Sequence, residues 1–359
     1  MVGRGVDQVL PHPSDPRIHE AFLHSALDYV SLAEARNGRI SKPVDFAYVW
    51  GDALVEFDRE APDVKIINLE TAITTSEDYW RNKGIHYRMH PDNIACLTAA
   101  TLDCCVLANN HVLDWGYAGL EETLATLRRA GIQTAGAGRD AAEAAAPAMI
   151  ELGGGRRLAV FAFGSETSGI PPEWGASAQK PGVNLLRDLS HDTVREIARQ
   201  VREVKRPGTI VVASLHWGGN WGYDIATSQR VFAHRLIDEA GLDVVHGHSS
   251  HHPKALEVYR DRLALYGCGD LLNDYEGIDA YEGFPRDLAL MYFASLDSRT
   301  GRLVRLRMTP TEVRRLSVHR ASRQEARRLQ EILNREGKAL GTRVWLDDDD
   351  TLTVEGGPR

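Results

Sequence analysis

The chain has 359 residues, 43% of them apolar, and a formal net charge of −8. That length carries one large domain or two ordinary ones with a sizeable core, and the negative balance argues against a general nucleic-acid surface, which needs a basic patch. No stretch approaches the roughly 20 apolar residues of a membrane helix, and the N-terminal residues lack a continuous apolar secretory segment, so a cytoplasmic protein is the expectation.

In chain order, residues 1–43 read as a leader with a helix near "HEAFLHSALDYVSLAEA". Short apolar, β-branched-rich runs follow at 44–50, 64–68, 103–108, 158–164, 209–215 and 242–246, as expected of strands buried on both faces. Helical spacing separates several of them: Leu120, Leu124 and Leu127 ahead of Gly131; Val194, Ile197, Val201 and Val204; Phe232, Leu236 and Ala240 ahead of Gly241. Strand alternating with helix predicts an α/β domain over 44–300. From 301 to 359 an arginine-rich helical segment and "DDDDTLTVEG" read as an appended element, the four aspartates at 347–350 being a solvated turn. Cys96, Cys104, Cys105 and Cys268 have no metal-finger or CxxC spacing and read as core thiols.

The ends of the expected strands carry the chemistry. The run 44–50 leads into Gly51 and Asp52, 64–68 into Asn68 and Glu70, and 103–108 into Asn109, Asn110 and His111. The run 209–215 leads into His216, and 242–246 into His246, Gly247 and His248, with His251 and His252 behind. In open α/β sheets the ligand crevice lies at the carboxyl ends of the strands. One histidine at a strand tip is ordinarily structural. Five strands tipped with nitrogen and oxygen donors point instead to a divalent ion such as Mn, Fe or Zn, and not to a thiolate-rich structural zinc. Arg88, in "HYRMHP", reads equally as an anion-binding fork or as a structural ion pair.

The order of these motifs resembles the calcineurin-like metallophosphoesterases, and within them the CapA family linked to poly-γ-glutamate capsule biosynthesis. The blocks are "GDALVEF", "NLETAIT", "LANNHVLDWGYAGLEETLATLRRAGIQTAGAG", "LHWGGNW", "VVHGHSSHHPKALEVY" and "LYGCGDLL", spread over residues 44–275. The resemblance implies a metallophosphatase-like four-layer αββα sandwich, two central mixed sheets flanked by helices, with two divalent ions at the strand ends. It implies that Asp52 binds one ion, Glu70 bridges, Asn110 and His216 bind the second, and His111 is the proton donor. The last motif places His248 and His251 on the metals, or His246 and His248 if it is read as a bare H-x-H. The chain departs from the family pattern at Leu54, where a histidine is usual, at Glu70, where an aspartate is usual, and at Asn220, where an acid is common. Arg88, Asn220 and Asp270 are the residues expected near substrate. The implied activity is metal-dependent hydrolysis of a phosphoester or an amide-type bond such as a γ-glutamyl link. The competing expectation is a non-hydrolytic component that binds polymer or a capsule-synthesis partner. No GxxxxGKS loop is present, so no nucleotide cofactor is expected.

Overall fold

The computed structural model describes residues 1–278, 284 and 288–355. Six strands make the sheet that positions the site, in the spatial order Leu256–Tyr259, Arg262–Leu265, Val244–His248, Thr209–His216, Arg156–Gly164 and Ala148–Gly153. The inner four run parallel and the two outer strands antiparallel. Thr209–His216 is buried at every position, as a central strand covered on both faces must be.

The pleat sorts its side chains by parity. Val211, Ala213 and Leu215 pack on the helices His191–Val204 and Thr227–Asp238, through Val194, Ile197, Phe232 and Leu236. Ile210 and Val212 face the other way, into the main core, and Ser214 and His216 continue that parity. Parallel register sets Ser214 beside His246 and His216 beside His248. Four polar side chains therefore share the inner face of one sheet at its carboxyl end.

A three-stranded parallel sheet faces it, in the order Ile66–Asn68, Cys104–Val106 and Gln133–Ala135. The helix Gly116–Arg129 packs against this layer with Leu120, Leu124 and Leu127 buried, each contributing about 1.5–3 kcal/mol of burial. Two sheets with helices outside them match the expected sandwich. A third, antiparallel sheet carries the C-terminal strands Leu288–Leu296, Leu303–Arg314, Ser317–Arg320, Trp345–Leu346 and Leu352–Glu355. Its first two strands pair across residue 300, so the expected division there falls within a hairpin. The leader is also tied in: the buried Arg4 guanidinium meets Asp274 at 2.6 Å and Glu20 at 2.8 Å.

The expected strand at 44–50 is not a strand. A 3₁₀ turn, Tyr48–Trp50, leads directly into the helix Asp52–Glu60. Val49, Ala53 and Glu56 are buried at helical spacing, and a short apolar run does not by itself distinguish strand from buried helix. Gly51 makes the junction at φ 44°, where a Cβ would stand 2.2 Å from the Val318 carbonyl oxygen.

Candidate functional site

The turn after Ile66–Asn68 carries Glu70, and the turn after Cys104–Val106 carries Asn110 and His111. Asn109 staples these turns together. Its amide donates to Asn68 Oδ1 and the Leu69 carbonyl at 3.0 and 2.9 Å, and its Oδ1 accepts from the His111 N–H at 3.1 Å. Opposite them stands His216. Its Nε2 is 3.0 Å from Asn110 Oδ1 and 3.8 Å from Glu70 Oε1. Glu70 Oε2 accepts from Asn68 Nδ2 at 2.8 Å. A carboxylate, an amide oxygen and an imidazole nitrogen thus converge from three strand ends on two sheets.

The other imidazoles near His216 are engaged with each other. His216 Nδ1 lies 2.7 Å from His248 Nδ1; His248 Nε2 is 2.8 Å from Ser214 Oγ, which is 3.0 Å from His246 Nδ1. His251 Nδ1 pairs with Asp270 Oδ2 at 2.9 Å, and Asn273 donates to the same carboxylate at 3.2 Å. Close packing fixes this strand end. At Gly247 a Cβ would meet the Leu265 carbonyl oxygen at 2.5 Å. Ser249 is held at φ 111°, a backbone state costing about 1–3 kcal/mol, with its hydroxyl donating to the Gly218 carbonyl at 3.0 Å.

His111 sits in a second cluster. Its Nδ1 is 2.7 Å from Asp114 Oδ2, and the Lys83 ammonium approaches Asp114 Oδ1 at 2.7 Å and His111 Nδ1 at 3.0 Å. Asp114 also accepts from the Tyr87 N–H at 2.7 Å. Among the described residues no hydrogen bond engages His111 Nε2.

Burial sets the electrostatics. It pushes the Glu70 carboxyl up to about 7, against the partial opposition of His251. It brings His111 down to about 4, where Asp114 opposes the shift and Lys83 adds to it. His216 and His248 lie well below the ordinary imidazole value, again through burial first. In the His251–Asp270 pair burial disfavours both charges but mutual attraction prevails, raising the imidazole and lowering the carboxyl.

The fit to a metal rests on this donor set. Among the described residues no three His, Cys, Asp or Glu side chains gather as a metal-holding group. Glu70 and His216 supply two such donors and the Asn110 amide oxygen the third, a mixed N/O set suited to a divalent ion. His248 and His251 stand next to this set with ring nitrogens committed to Ser214, His216 and Asp270. His246 is one step further out.

Three expected residues are placed otherwise. Asp52 is the first residue of a helix; its carboxylate accepts from the Arg320 N–H at 2.9 Å and lies 3.8 Å from His319 Nδ1, and among the described residues it is bonded to neither Glu70 nor His216. The strand that would have aimed it at the site does not form. Arg88 is structural: its guanidinium donates to the Ser76 carbonyl and pairs with Glu77 at 2.9 and 2.8 Å, 3.9 Å over the Trp115 ring. The Asn220 side chain is exposed, and its backbone carbonyl accepts from His251 N–H at 3.0 Å. Asp270 is at the site as the partner of His251. Sequence reasoning missed Lys83, Asp114 and Ser214. Asp114 had a signal, standing three residues after His111 in a turn; Ser214 had one too, two residues before His216 on the same face of its strand. Lys83 had none.

Comparison with known proteins agrees with the motif order. A probable polyglutamine synthesis accessory protein of Mycobacterium tuberculosis is 47% identical over 355 residues, covering 99% of this chain and 93% of that protein. The PGA biosynthesis protein CapA of Bacillus subtilis is 26% identical over 82% of this chain and 73% of its own length. The capsule biosynthesis protein CapA of Bacillus anthracis is 24% identical over 61% of this chain and 50% of its own length. With residues 1–275 matching the family model, the chain belongs to the bacterial capsule synthesis protein family PGA_cap.

Proposed function

We propose that this protein is an accessory factor of polyglutamate or capsule synthesis that acts through a divalent-ion site as a hydrolase of a phosphoester or a γ-glutamyl-type amide. The observation carrying this reading is the convergence of Glu70, Asn110 and His216, with His111 one residue beyond Asn110. Glu70, Asn110 and His216 would hold the ion, which when bound supplies Lewis-acid polarisation and an activated water. Any second ion needs donors from the His248 and His251 side of the cluster.

The chain's own groups do the rest. Asp114 accepts from His111 Nδ1–H, which fixes the ring and leaves Nε2 to exchange a proton with a bound group. With its basicity brought down to about 4, His111 rests neutral at pH 7 and, once protonated, is a strong donor to a leaving group. The buried setting of the cluster excludes bulk water and strengthens each of these interactions.

A non-hydrolytic binding role is the second reading. It is favoured by the absence, among the described residues, of a group of three His, Cys, Asp or Glu, and by the word accessory in the M. tuberculosis relative's name. Metal analysis of the purified protein, followed by assays on phosphoesters and γ-glutamyl peptides with Mn²⁺ or Zn²⁺, separates the two. Turnover lost in His111→Ala supports the hydrolase; stoichiometric polymer binding without turnover supports the second reading.

A further inference from the structure

Two imidazoles at the site are held in the same way. His111 Nδ1 pairs with Asp114 at 2.7 Å and His251 Nδ1 with Asp270 at 2.9 Å. Each ring also meets a tyrosine at a steep angle. Tyr87 packs at 74° on His111 with ring centres 4.5 Å apart, and Tyr275 at 77° on His251 with centres 5.3 Å apart. The two tyrosine hydroxyls stand 2.9 Å from each other.

These contacts close into an arch between the imidazoles. Tyr87 N–H donates at 2.7 Å to the Asp114 carboxylate that holds His111. Tyr275 N–H donates at 3.1 Å to Asn273 Oδ1, and Asn273 Nδ2 donates at 3.2 Å to the Asp270 carboxylate that holds His251. The buried Arg4 guanidinium lies 4.6 Å from the Tyr87 ring centre and grips Asp274, the residue before Tyr275, through two bonds of 2.6 and 2.8 Å. Both phenols are thus fixed before any ligand arrives, so little ordering remains for binding to offset.

Counting hydrogens shows what the pair can do. Burial raises both phenols well above their ordinary value, against the opposition of Arg4, so two hydrogens are present. One of them lies between the two oxygens. Tyr87 is fully buried, and its O–H would lose its only acceptor if Tyr275 were the donor, at a cost of about 1–3 kcal/mol. Tyr87 therefore donates, and the second hydrogen belongs to the half-buried Tyr275. Among the described residues its acceptor is the Met1 thioether sulfur at 3.7 Å, a weak one. The carboxylates of the arch are taken: Asp114 by His111 and Lys83, Asp270 by His251 and Asn273, Asp274 by Arg4 and the Gly5 N–H. A strong acceptor has to come from outside. The Lys83 ammonium, 3.0 Å from His111 Nδ1, and Arg4 behind the rings favour an oxygen that carries negative charge.

We propose that Tyr275 is a ligand-binding residue, its hydroxyl oriented by Tyr87 and donating to an anionic oxygen of a molecule seated between His111 and His251. A phosphoryl oxygen and the free α-carboxylate beside a γ-glutamyl amide offer the same acceptor. This subsite rests on the proposed reading of the neighbouring cluster as a ligand site, with or without turnover.

The test is calorimetry with inorganic phosphate and with γ-glutamylglycine on the Mn²⁺-loaded chain, comparing the parent with Tyr275→Phe and Tyr87→Phe. Both exchanges keep the ring. Tyr275→Phe is expected to weaken the anion that uses this hydroxyl by about tenfold or more, the loss of one charge-assisted hydrogen bond. Weakened phosphate assigns the subsite to a phosphoryl group, and weakened dipeptide assigns it to an α-carboxylate. Tyr87→Phe leaves Tyr275 its hydrogen, so affinity stays within about threefold of the parent, a split that a merely structural arch does not produce. If Tyr275→Phe does not fold, the tyrosine Cζ carbons are followed by NMR in the Zn²⁺-loaded parent. There the anion is expected to move the resonance that Tyr87→Phe also displaces. An unmoved resonance, unchanged affinity for both anions in Tyr275→Phe, equal losses in the two variants, or a parent that binds neither anion overturns the assignment. Anion binding that depends on Tyr275 in a protein that turns over no substrate keeps the subsite and removes the hydrolase reading.

Discussion

The His216 and His248 imidazoles meet nitrogen to nitrogen, Nδ1 to Nδ1 at 2.7 Å, on adjacent parallel strands. One of the two must carry the proton, and the choice propagates. With no cation at His216 Nε2, that nitrogen can donate to Asn110 Oδ1, and Nδ1 accepts from His248. With a cation at Nε2, His216 Nδ1–H must donate to His248, whose Nε2–H then turns to Ser214, and the Ser214 hydroxyl to His246. If His216 Nε2 holds an ion, His248 would orient that ligand and not bind the ion itself, the role the resemblance implied. Such orienting partners are worth about 10–100-fold in metal affinity. His248→Ala is expected to weaken Mn²⁺ or Zn²⁺ binding by that factor in calorimetry, while His216→Ala removes the site. Equal affinities for His248→Ala and the parent, or for His248→Ala and His216→Ala, refute the positioning role.

Glu70 links the site to stability. Its buried carboxyl is pushed up to about 7 from the ordinary 4.5. Between these values the folded state holds a proton that the unfolded state releases, so stability of the metal-free protein falls as pH rises from about 4.5 to about 7 and then levels. The full shift corresponds to about 3 kcal/mol. In chelator at pH 8, Glu70→Gln is expected to melt at or above the parent temperature, because it removes a buried charge. With Mn²⁺ or Zn²⁺ the order reverses, since only the parent gains from binding. A lower melting temperature for Glu70→Gln under both conditions means that the carboxylate is held by protein contacts alone.

Asp52 provides a negative control with a physical reason. Its carboxylate serves Arg320 N–H at the start of a helix. Asp52→Asn is expected to leave metal stoichiometry and affinity unchanged and to cost about 1 kcal/mol in denaturant unfolding, the scale of one such hydrogen bond. Loss of a bound ion in this variant restores Asp52 to the ligand set.

The sequence was most legible where period and chemistry coincide. In Thr209–His216 a mostly apolar run demanded a strand buried on both faces, and two-residue parity then set Ser214 and His216 on one side. The helices over residues 116–129, 191–204 and 227–238 declared themselves by spacing, the first and third also by Gly131 and Gly241 beyond their ends. The run 44–50 failed because a short, mostly apolar run fits a buried turn and helix as well as a strand, and Gly51, whose φ of 44° decides the matter, is silent in a sequence. Arg88 was ambiguous for a different reason. Its role depends on Glu77 and Trp115, which tertiary packing alone brings to it. Lys83 reaches His111 across 28 residues of separation, beyond any local pattern.

That contact gives the last prediction. Lys83 and Asp114 act on His111 in opposite senses: burial and the Lys83 ammonium disfavour the imidazolium, and the Asp114 carboxylate favours it. Lys83→Met removes a cation 3.0 Å from Nδ1, so the His111 titration should move up from about 4. Asp114→Asn removes the compensating anion, so the same titration should move down or leave the accessible range. Both are readable by NMR of the His111 ring protons in the metal-free protein, without a substrate. If the hydrolase reading holds, His111→Ala lowers turnover by about 10²–10⁴-fold, and Lys83→Met shifts the pH profile in the direction of the NMR midpoint. A His111 midpoint that moves the same way in both variants means that packing, and not these two charges, controls the imidazole; a His111→Ala enzyme with undiminished turnover removes His111 from the proton transfer altogether.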